Sequence, residues 1–316
     1  MGEDVGERRS PRFRVERRKS IMNLSAISIG YFVPRARFDG RVRGLFHRAC
    51  NVRLDDGRLI TLLASDLSDV PQGVRLNTPP GFAFDALPLE PGQAVACRAG
   101  VIRFSGSAVS IDLRTAQVWR ADLSAVWVDM AVPRVRSAWH VAWTELHHRS
   151  ADGLSLIRQQ KFLPADTAGQ AVDALLNASR WLDATGACAA AEALIGLGLG
   201  LTPSGDDFLV GYLAGLQCGT GKERPREKFT SVFSAGVVRF ARRTTEVSRA
   251  YLEHAAQGRV SRVLFDLARA IGQSESQAHT QRAARAALQV GSTSGADSVL
   301  GLLLGLGVWT SPLLSF

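Results

Sequence analysis

The feature of the sequence that most restricts the fold is a glycine-rich stretch past its middle. Residues 196–208 read Gly-Leu-Gly-Leu-Gly-Leu-Thr-Pro-Ser-Gly-Asp-Asp-Phe. Glycine at three alternate positions loses too much backbone freedom for a comfortable helix or strand interior, which predicts a loop. Pro203 excludes the helical conformation at Thr202 and is well placed to begin a new helix. The sequence therefore predicts a glycine-rich loop that turns directly into a helix near Ser204.

The helix predicted after this loop has a charged start and a bare face. Ser204 offers a capping oxygen to the amide near Asp207, and Asp206 and Asp207 place negative charge where a helix N-terminus favours it. Gly211 and Gly215 lie four residues apart, so one face of this helix is bare backbone. We therefore expect another element to pack very closely against that face.

The same pattern returns near the C-terminus. Residues 294–306 repeat residues 204–216 with seven of thirteen positions identical. Glycine and leucine matches are common in this chain, so the repeat depends mainly on Ser-Gly-x-Asp in register with both glycines. We interpret the pattern as an internally duplicated loop–helix unit, whose two glycine faces meet and whose helix N-termini point toward one place.

Composition describes an ordinary globular chain with a basic N-terminal tail. The 316 residues suffice for two domains, and 46% hydrophobic with 21% charged residues is typical of a soluble protein. The net charge is +9, and residues 1–50 hold twelve Arg or Lys against five Asp or Glu. Because no nucleic-acid motif accompanies this charge, residues 1–23 are predicted to be a disordered basic tail, with no nucleic acid as partner.

The cysteines and apolar runs indicate a cytoplasmic protein without a membrane anchor. The four cysteines are far apart and fit neither a disulfide framework nor a zinc pattern, so a reducing cytosol is the simplest setting. The longest apolar run, Val299 to Trp309, is too short to cross a bilayer. The scattered histidines predict no metal site.

The remaining pattern predicts an α+β fold with two domains. Residues 24–135 are expected to form a small antiparallel β barrel or sandwich, and residues 136–316 a mainly α-helical domain. The strands are predicted at 42–47, 49–54, 58–64, 94–99, 101–104 and 108–113. The helices are predicted at 139–160, 168–185, 187–195, from 204 onward, and at 227–242, 245–257, 259–271 and 277–289.

Two interpretations of the paired Ser-Gly-x-Asp motifs stay open at this point. Ser-x-x-Asp is close to a capping box, which would make the serines and aspartates structural. Alternatively, two helix starts beside a glycine-rich turn form an anion cradle, because their amides point outward with partial positive charge. The hydroxyls of Thr202 and Ser292, at matching positions, and the extra carboxylate of Asp206 favour this ligand site.

The nature of the anion is less restricted. There is no P-loop, and the alternate glycines at 196, 198 and 200 miss the spacing of a dinucleotide fingerprint. The aspartates would repel a phosphate unless magnesium or a nearby arginine intervened, so magnesium stays possible as a cofactor. Arg242-Arg243-Thr244-Thr245-x-x-Ser248 is a further candidate element. It is either an anion clamp or ordinary capping beside a solvated arginine pair.

The run Gly-Leu-Gly-x-Gly-Leu-Thr-Pro-Ser-Gly-Asp-Asp-Phe-Leu, the later Thr-Thr-x-x-Ser, and the terminal Ser-Gly-x-Asp-x-x-x-Gly resemble the AllH-type family. Its named member is a subunit of oxamate carbamoyltransferase in bacterial allantoin degradation. The resemblance spans about residues 38 to 308, with Leu199 in a slot associated with proline. It implies a cytoplasmic carbamoyltransferase assembly with companion subunits that act on carbamoyl phosphate and oxamate.

These observations predict a subunit that binds a small anionic substrate at paired helix N-termini. Asp206, Asp207 and Asp297 are the candidate catalytic residues. The candidate substrate-binding residues are Thr202, Ser204, Gly205, Arg243, Thr244, Thr245, Ser248, Ser294 and Gly295. The alternatives are a non-catalytic assembly or regulatory module of such a complex, and a stand-alone magnesium-dependent phosphoryl-transfer enzyme.

Overall fold

The structure is a computed structural model that describes residues 22–149 and 165–310. An N-terminal barrel region of eight strands is followed by a helical domain, so the predicted succession of a β-rich and an α-helical part is confirmed. Residues 1–21 of the predicted basic tail lie outside the described residues. Met22 and Asn23, which the prediction gave to that tail, are the first residues of a strand.

Within the described ranges, nine strands form one sheet. Strands β1 to β8 close into a barrel in the order β1-β5-β4-β3-β2-β6-β7-β8, with β8 returning to β1, and β9 pairs with the end of β1 beyond β8. Their bounds are β1 Met22–Gly30, β2 Arg37–Leu45, β3 Ala49–Leu54, β4 Leu59–Leu63, β5 Gly73–Leu76, β6 Ala94–Arg98, β7 Val101–Phe104, β8 Val109–Asp112 and β9 Gln117–Trp119.

The prediction of an antiparallel barrel is only partly right, because the barrel contains both antiparallel and parallel strand pairs. β2 to β4 and β6 to β8 are joined by short turns that give antiparallel pairs. The turn between β3 and β4 contains Gly57, with a positive φ of 88°. β4–β5, β1–β8 and β1–β9 are parallel. A parallel pair needs a longer connection, and residues 64–72 supply it between β4 and β5.

The interior of the barrel is filled by alternate side chains of its strands. In β6 and β8 buried and more exposed positions alternate, as expected for strands with one face in a core. β4 is different because all five of its residues are buried. One face of β4 lies in the barrel core, and the helical domain packs against the strand from outside.

Nine helices follow among the described residues. They are α1 Pro133–Arg149, α2 Ala165–Arg180, α3 Ala184–Leu194, α4 Ser204–Gly219, α5 Arg224–Phe240, α6 Glu246–Ala255, α7 Arg262–Gln273, α8 Gln277–Leu288 and α9 Ser294–Gly307. The part of the first predicted helix beyond residue 149 lies outside the described residues. Helices α4 and α9 are buried on nearly all sides, which explains why they lack the polar stripe of a surface helix. The other helices form a shell around this central pair.

Polar contacts fasten the barrel to the helical domain. Asp69, in the connection before β5, is buried and receives hydrogen bonds from Ser28, from Arg75 Nε at 2.9 Å and from Arg262 Nε of α7 at 2.7 Å. Burial raises the pKa of Asp69, but these three donors outweigh it and hold that pKa below its usual value. The carboxylate is therefore charged and well satisfied.

A second contact joins the barrel to the start of α6. Glu246, the first residue of α6, pairs with Arg43 Nε of β2 at 2.9 Å and with Arg53 of β3.

Within residues 22–149 and 165–310, no helix combines the length and apolar character required to cross a bilayer.

Candidate functional site

Helices α4 and α9 cross on their glycine faces. A Cβ on Gly211 would overlap the carbonyl oxygen of Ser298, and a Cβ on Gly301 would overlap that of Phe208. One turn further along, a Cβ on Gly305 would lie 2.6 Å from the carbonyl oxygen of Tyr212. Ordinary side chains would not permit this approach, because cores are already packed to the density of crystals. The glycines thus bring two helix backbones into direct contact.

The close crossing places the N-termini of α4 and α9 next to each other. Ser204 and Ser294 are the first residues of these helices, and the Thr202 hydroxyl before α4 lies 3.0 Å from the Ser294 hydroxyl of α9. The loop before each helix therefore contributes to one shared region. The meeting of the two helix starts is the central geometric fact of the site.

The predicted capping role of Ser204 is wrong. The N-cap residues are Pro203 and Thr293, and within the described part of the chain neither helix start has a side-chain capping hydrogen bond. The Asp207 amide donates to the Pro203 carbonyl oxygen at 3.1 Å, and the Asp297 amide donates to the Thr293 carbonyl oxygen at 3.0 Å. The serine hydroxyls are therefore not used for capping.

Each serine hydroxyl instead faces the aspartate of the other helix. The Ser294 hydroxyl lies close enough to the carboxyl of Asp207 to lower its pKa, and the Ser204 hydroxyl does the same for the carboxyl of Asp297. Thr202 supports the first carboxyl and Thr293 the second. The arrangement is reciprocal across the glycine contact between α4 and α9, which we call the seam. The serine of each motif therefore contacts the aspartate of the other motif and not its own.

The two carboxyls are buried and hold their protons unusually strongly. Burial raises the pKa of Asp207 to about 8 and that of Asp297 to about 7, and the negative charge of Asp297 further raises the pKa of Asp207. The hydroxyls oppose only part of this effect. One oxygen of each carboxyl, Oδ2, is buried without a hydrogen-bond partner among the described residues. Near neutral pH Asp207 is therefore mainly protonated, while Asp297 is partly ionised.

Asp206 has a different neighbourhood from Asp207. Its carboxylate accepts hydrogen bonds from the Gly196 amide at 2.8 Å and from the Thr244 hydroxyl, and the Ser248 hydroxyl faces it. Burial still raises the pKa of Asp206, although these donors oppose the shift. The side chain ties the start of the glycine-rich loop to the segment before α6.

Part of the predicted Arg-Thr-Thr-Ser element also reaches the site. Thr245 is the N-cap of α6, as predicted for one of the two threonines, and accepts the Ser248 amide at 3.1 Å. Its hydroxyl also donates to the Leu201 carbonyl oxygen at 2.6 Å. The Arg243 guanidinium, however, is exposed and pairs with Glu192 of α3. The structure thus brings the hydroxyls of this element to the loop and leaves the guanidinium at the surface.

The amides expected to hold an anion are already engaged. The Gly205 amide donates to the Leu197 carbonyl oxygen at 2.9 Å, and the Gly295 amide donates to the Val290 carbonyl oxygen at 2.9 Å. A Cβ at either glycine would overlap a carbonyl oxygen of the preceding helix. Both residues are glycine because the chain folds tightly there, and the groups left for a ligand are hydroxyls and carboxyls.

The site is acidic. Among the described residues, no arginine or lysine lowers the pKa of any of the three carboxyls by hydrogen bonding or by its charge. No group of three or more His, Cys, Asp or Glu side chains within residues 22–149 and 165–310 is arranged to hold a metal ion. A protonated and an ionised carboxyl side by side can donate one hydrogen bond and accept another. Such a pair complements a ligand group that has a hydrogen-bond acceptor next to a donor.

Two neighbours of the carboxyls were missed from the sequence. Thr293, and not Ser292, lies beside Asp297, while Ser292 is exposed. Tyr251 of α6 is close enough for the charge of Asp207 to add to the effect of burial, and its pKa is raised to about 12. Its position three residues after Ser248 places both side chains on one face of α6, and that spacing was available in the sequence.

Two family models match the chain. The model described as oxamate carbamoyltransferase subunit AllH matches residues 194–306, and the AllH family N-terminal domain matches residues 25–118. The first match contains both Ser-Gly-x-Asp motifs and the Thr-Thr-x-x-Ser element, and the second covers most of the barrel. No solved structure matches the chain.

Proposed function

Because the chain belongs to the AllH family, we propose that it is a subunit of an oxamate carbamoyltransferase and carries the site that binds the carbamoyl group. The observation that supports this proposal is the buried pair Asp207 and Asp297, each facing a serine hydroxyl from the other helix. Paired carboxyls with raised pKa values are typical of sites that move or share protons. Carbamoyl phosphate and oxamate are the proposed small anionic substrates.

The proposed chemistry uses the two carboxyls in different protonation states. The oxamate amide nitrogen forms a bond to the carbonyl carbon of carbamoyl phosphate, the bond from that carbon to the phosphate oxygen breaks, and inorganic phosphate leaves. Asp207, which holds its proton more strongly, donates a hydrogen bond to the carbonyl oxygen as it gains negative charge. Asp297 accepts the proton that the nitrogen releases.

The surrounding groups would hold the substrates in place. Thr202, Ser204 and Ser294 present hydroxyls that can donate or accept as the ligand requires. The second layer consists of Asp206, Thr244, Thr245 and Ser248, whose hydrogen bonds fix the glycine-rich loop over the helix starts. Positioning of two bound reactants accounts for a large part of catalysis in such sites, so no covalent intermediate is required.

We also propose that α4 and α9, with their preceding turns, are two copies of one duplicated unit. Gly211 lies on Ser298 and Gly301 lies on Phe208, so each contact has a counterpart at the matching position of the other unit. The serine–aspartate contacts are reciprocal in the same way. One duplication would therefore have created both halves of the site.

The experiment is turnover by the complex reconstituted with its companion subunits. Ser204→Ala combined with Ser294→Ala, and separately Asp207→Asn, should reduce carbamoyl transfer at least 100-fold, since hydrogen bonds and proton transfer of this kind contribute about 10²–10⁴-fold. Asp173→Asn, an exposed carboxyl on α2, is the matched control and should retain full activity. All variants should stay within a few degrees of the wild-type melting temperature.

A non-catalytic role in assembly is the competing proposal, and the tightly packed α4–α9 seam favours it because such a seam makes a rigid core. If both site variants assemble and turn over at the wild-type rate, the seam is structural and the chemistry belongs to another subunit.

A further inference from the structure

Three exposed apolar side chains lie on the two loops that lead into the site. Leu199 is 83% exposed and Leu201 is 45% exposed, both in the glycine-rich loop, and Val290 in the loop before α9 is 40% exposed. We call these three residues the apolar rim. Single exposed apolar residues are common, but several on adjoining loops beside a buried polar site indicate an interaction surface.

Hydrogen bonds fix the rim residues to the site. The Leu201 carbonyl oxygen accepts from Thr245 at 2.6 Å, and the Val290 carbonyl oxygen accepts from the Gly295 amide at 2.9 Å. The contact of 3.0 Å between Thr202 and Ser294 joins the two loops directly beside the carboxyls. The rim residues therefore lie on the same two loops whose hydroxyls border the Asp207–Asp297 pair.

The site below the rim is short of positive charge. Asp207 and Asp297 each have a buried oxygen without a partner, and among the described residues no cationic side chain affects their pKa values. The one arginine predicted to serve the site, Arg243, pairs with Glu192 at the surface. No cationic side chain among the described residues is placed to balance the charge of an anionic substrate bound there, and a cation from a partner subunit would balance it.

We infer that the apolar rim is the docking surface of a companion subunit, which covers Leu199, Leu201 and Val290 and brings an arginine or lysine side chain to the Asp207–Asp297 pair. The inference rests on the proposed function, because the family of the chain is described as a subunit. A cation from the partner complements the acidic site. A second copy of this chain is a poorer occupant, since two rims face to face would bring carboxyls toward carboxyls.

The first test measures binding between the full chain and its companion subunits. Leu199→Glu places a charge in the covered surface, so it should weaken binding and raise the dissociation constant at least tenfold. Val232→Glu is the matched control, because Val232 is an apolar residue of α5 with a similar exposure of 47%, and it should bind like wild type. Unaltered binding of the Leu199→Glu variant would overturn the inference.

The second test identifies the occupant. A benzoylphenylalanine at position 199 should form a photo-adduct with a companion subunit in the assembled complex. An adduct with a second copy of the chain, or no adduct at all, would overturn the inference.

Asp207→Asn separates this inference from the proposed function. If the variant complex assembles and the adduct forms but turnover is normal, the docking surface stands and the proposed catalytic role fails. If turnover is lost while Leu199→Glu assembles normally, the catalytic role stands and the docking surface fails.

Discussion

The close contact between α4 and α9 gives a sharp prediction for Gly301→Ala. A Cβ at this position would overlap the Phe208 carbonyl oxygen and lie 2.8 Å from the Tyr212 amide nitrogen, whereas ordinary contacts lie at 3.4–4 Å. Both obstacles are backbone atoms of α4, so they cannot rotate away. The helices have to separate along the seam.

The expected magnitude combines two opposing effects. Overpacking of a core costs about 1–3 kcal/mol, and backbone obstacles place this case at the upper end. Alanine is preferred over glycine in helices by about 1 kcal/mol, which offsets part of the cost. The net loss should be about 2 kcal/mol, or a fall in melting temperature of roughly 4–8 °C for a domain of this size.

Gly169→Ala is the matched control for the same chemical change. Gly169 lies in α2, and a Cβ there would meet nothing within 4 Å. Its replacement should therefore stabilise the protein by up to about 1 kcal/mol. Urea unfolding followed by circular dichroism at 222 nm measures both variants. If Gly301→Ala is as stable as Gly169→Ala, the reasoning about the seam is refuted.

Three further predictions concern charged side chains. Unfolding free energy should fall by up to about 1.4 kcal/mol per pH unit as pH rises through the range between the unfolded pKa of about 3.9 and the folded pKa of Asp207. Burial raises that pKa to about 8, so the folded state keeps a proton that the unfolded state has released. Denaturant titrations at pH 5 and pH 7.5 should show a smaller fall in unfolding free energy for Asp207→Asn than for the wild type. An equal fall would contradict this prediction. Asp69→Asn should cost about 1.5–3 kcal/mol in chemical denaturation, because Arg75 and Arg262 lose a shared charged acceptor but are themselves partly exposed. A loss below about 0.5 kcal/mol would contradict this role. Glu246→Gln should change stability by less than about 1 kcal/mol because its two arginine pairs are partly exposed, and a large loss in thermal melting would contradict this.

The order of strands and helices was predictable from local patterns, but part of the barrel was not. β3 and β7 were predicted at their observed bounds, because alternation and turn residues are local signals. β1 was partly assigned to the basic tail, and β5 lies in a passage rich in proline and glycine. Both strands are held by pairing with distant strands, which a local pattern does not encode.

The residues of the site were predictable, but their partners were not. The repeated Ser-Gly-x-Asp identified Ser204, Asp207, Ser294 and Asp297 from the sequence. The pattern favoured capping within each helix as one interpretation, because Ser-x-x-Asp reads as a capping box. The structure shows contacts between the helices instead. The glycine seam brings the two helix starts so close that the serine hydroxyl of each helix contacts the aspartate of the other.

The free amides expected of an anion cradle were also not found at Gly205 and Gly295. Each amide already donates a hydrogen bond to a carbonyl oxygen of the loop before its helix. The sequence marks these glycines as special but does not distinguish a position that needs space for a ligand from one that needs space for the backbone. Only the coordinates of the preceding helices separate these two reasons.

The proposed site depends most on the pairing of Asp207 with Asp297 across the seam, and carboxyl titration by carbon-13 NMR tests this pairing directly. The two carboxyl signals should titrate near pH 8 and pH 7, and Asp297→Asn should lower the pKa of Asp207 because a negative neighbour is removed. Two carboxyls that titrate near pH 4, with Asp207 unaffected by the loss of Asp297, would contradict the shared site.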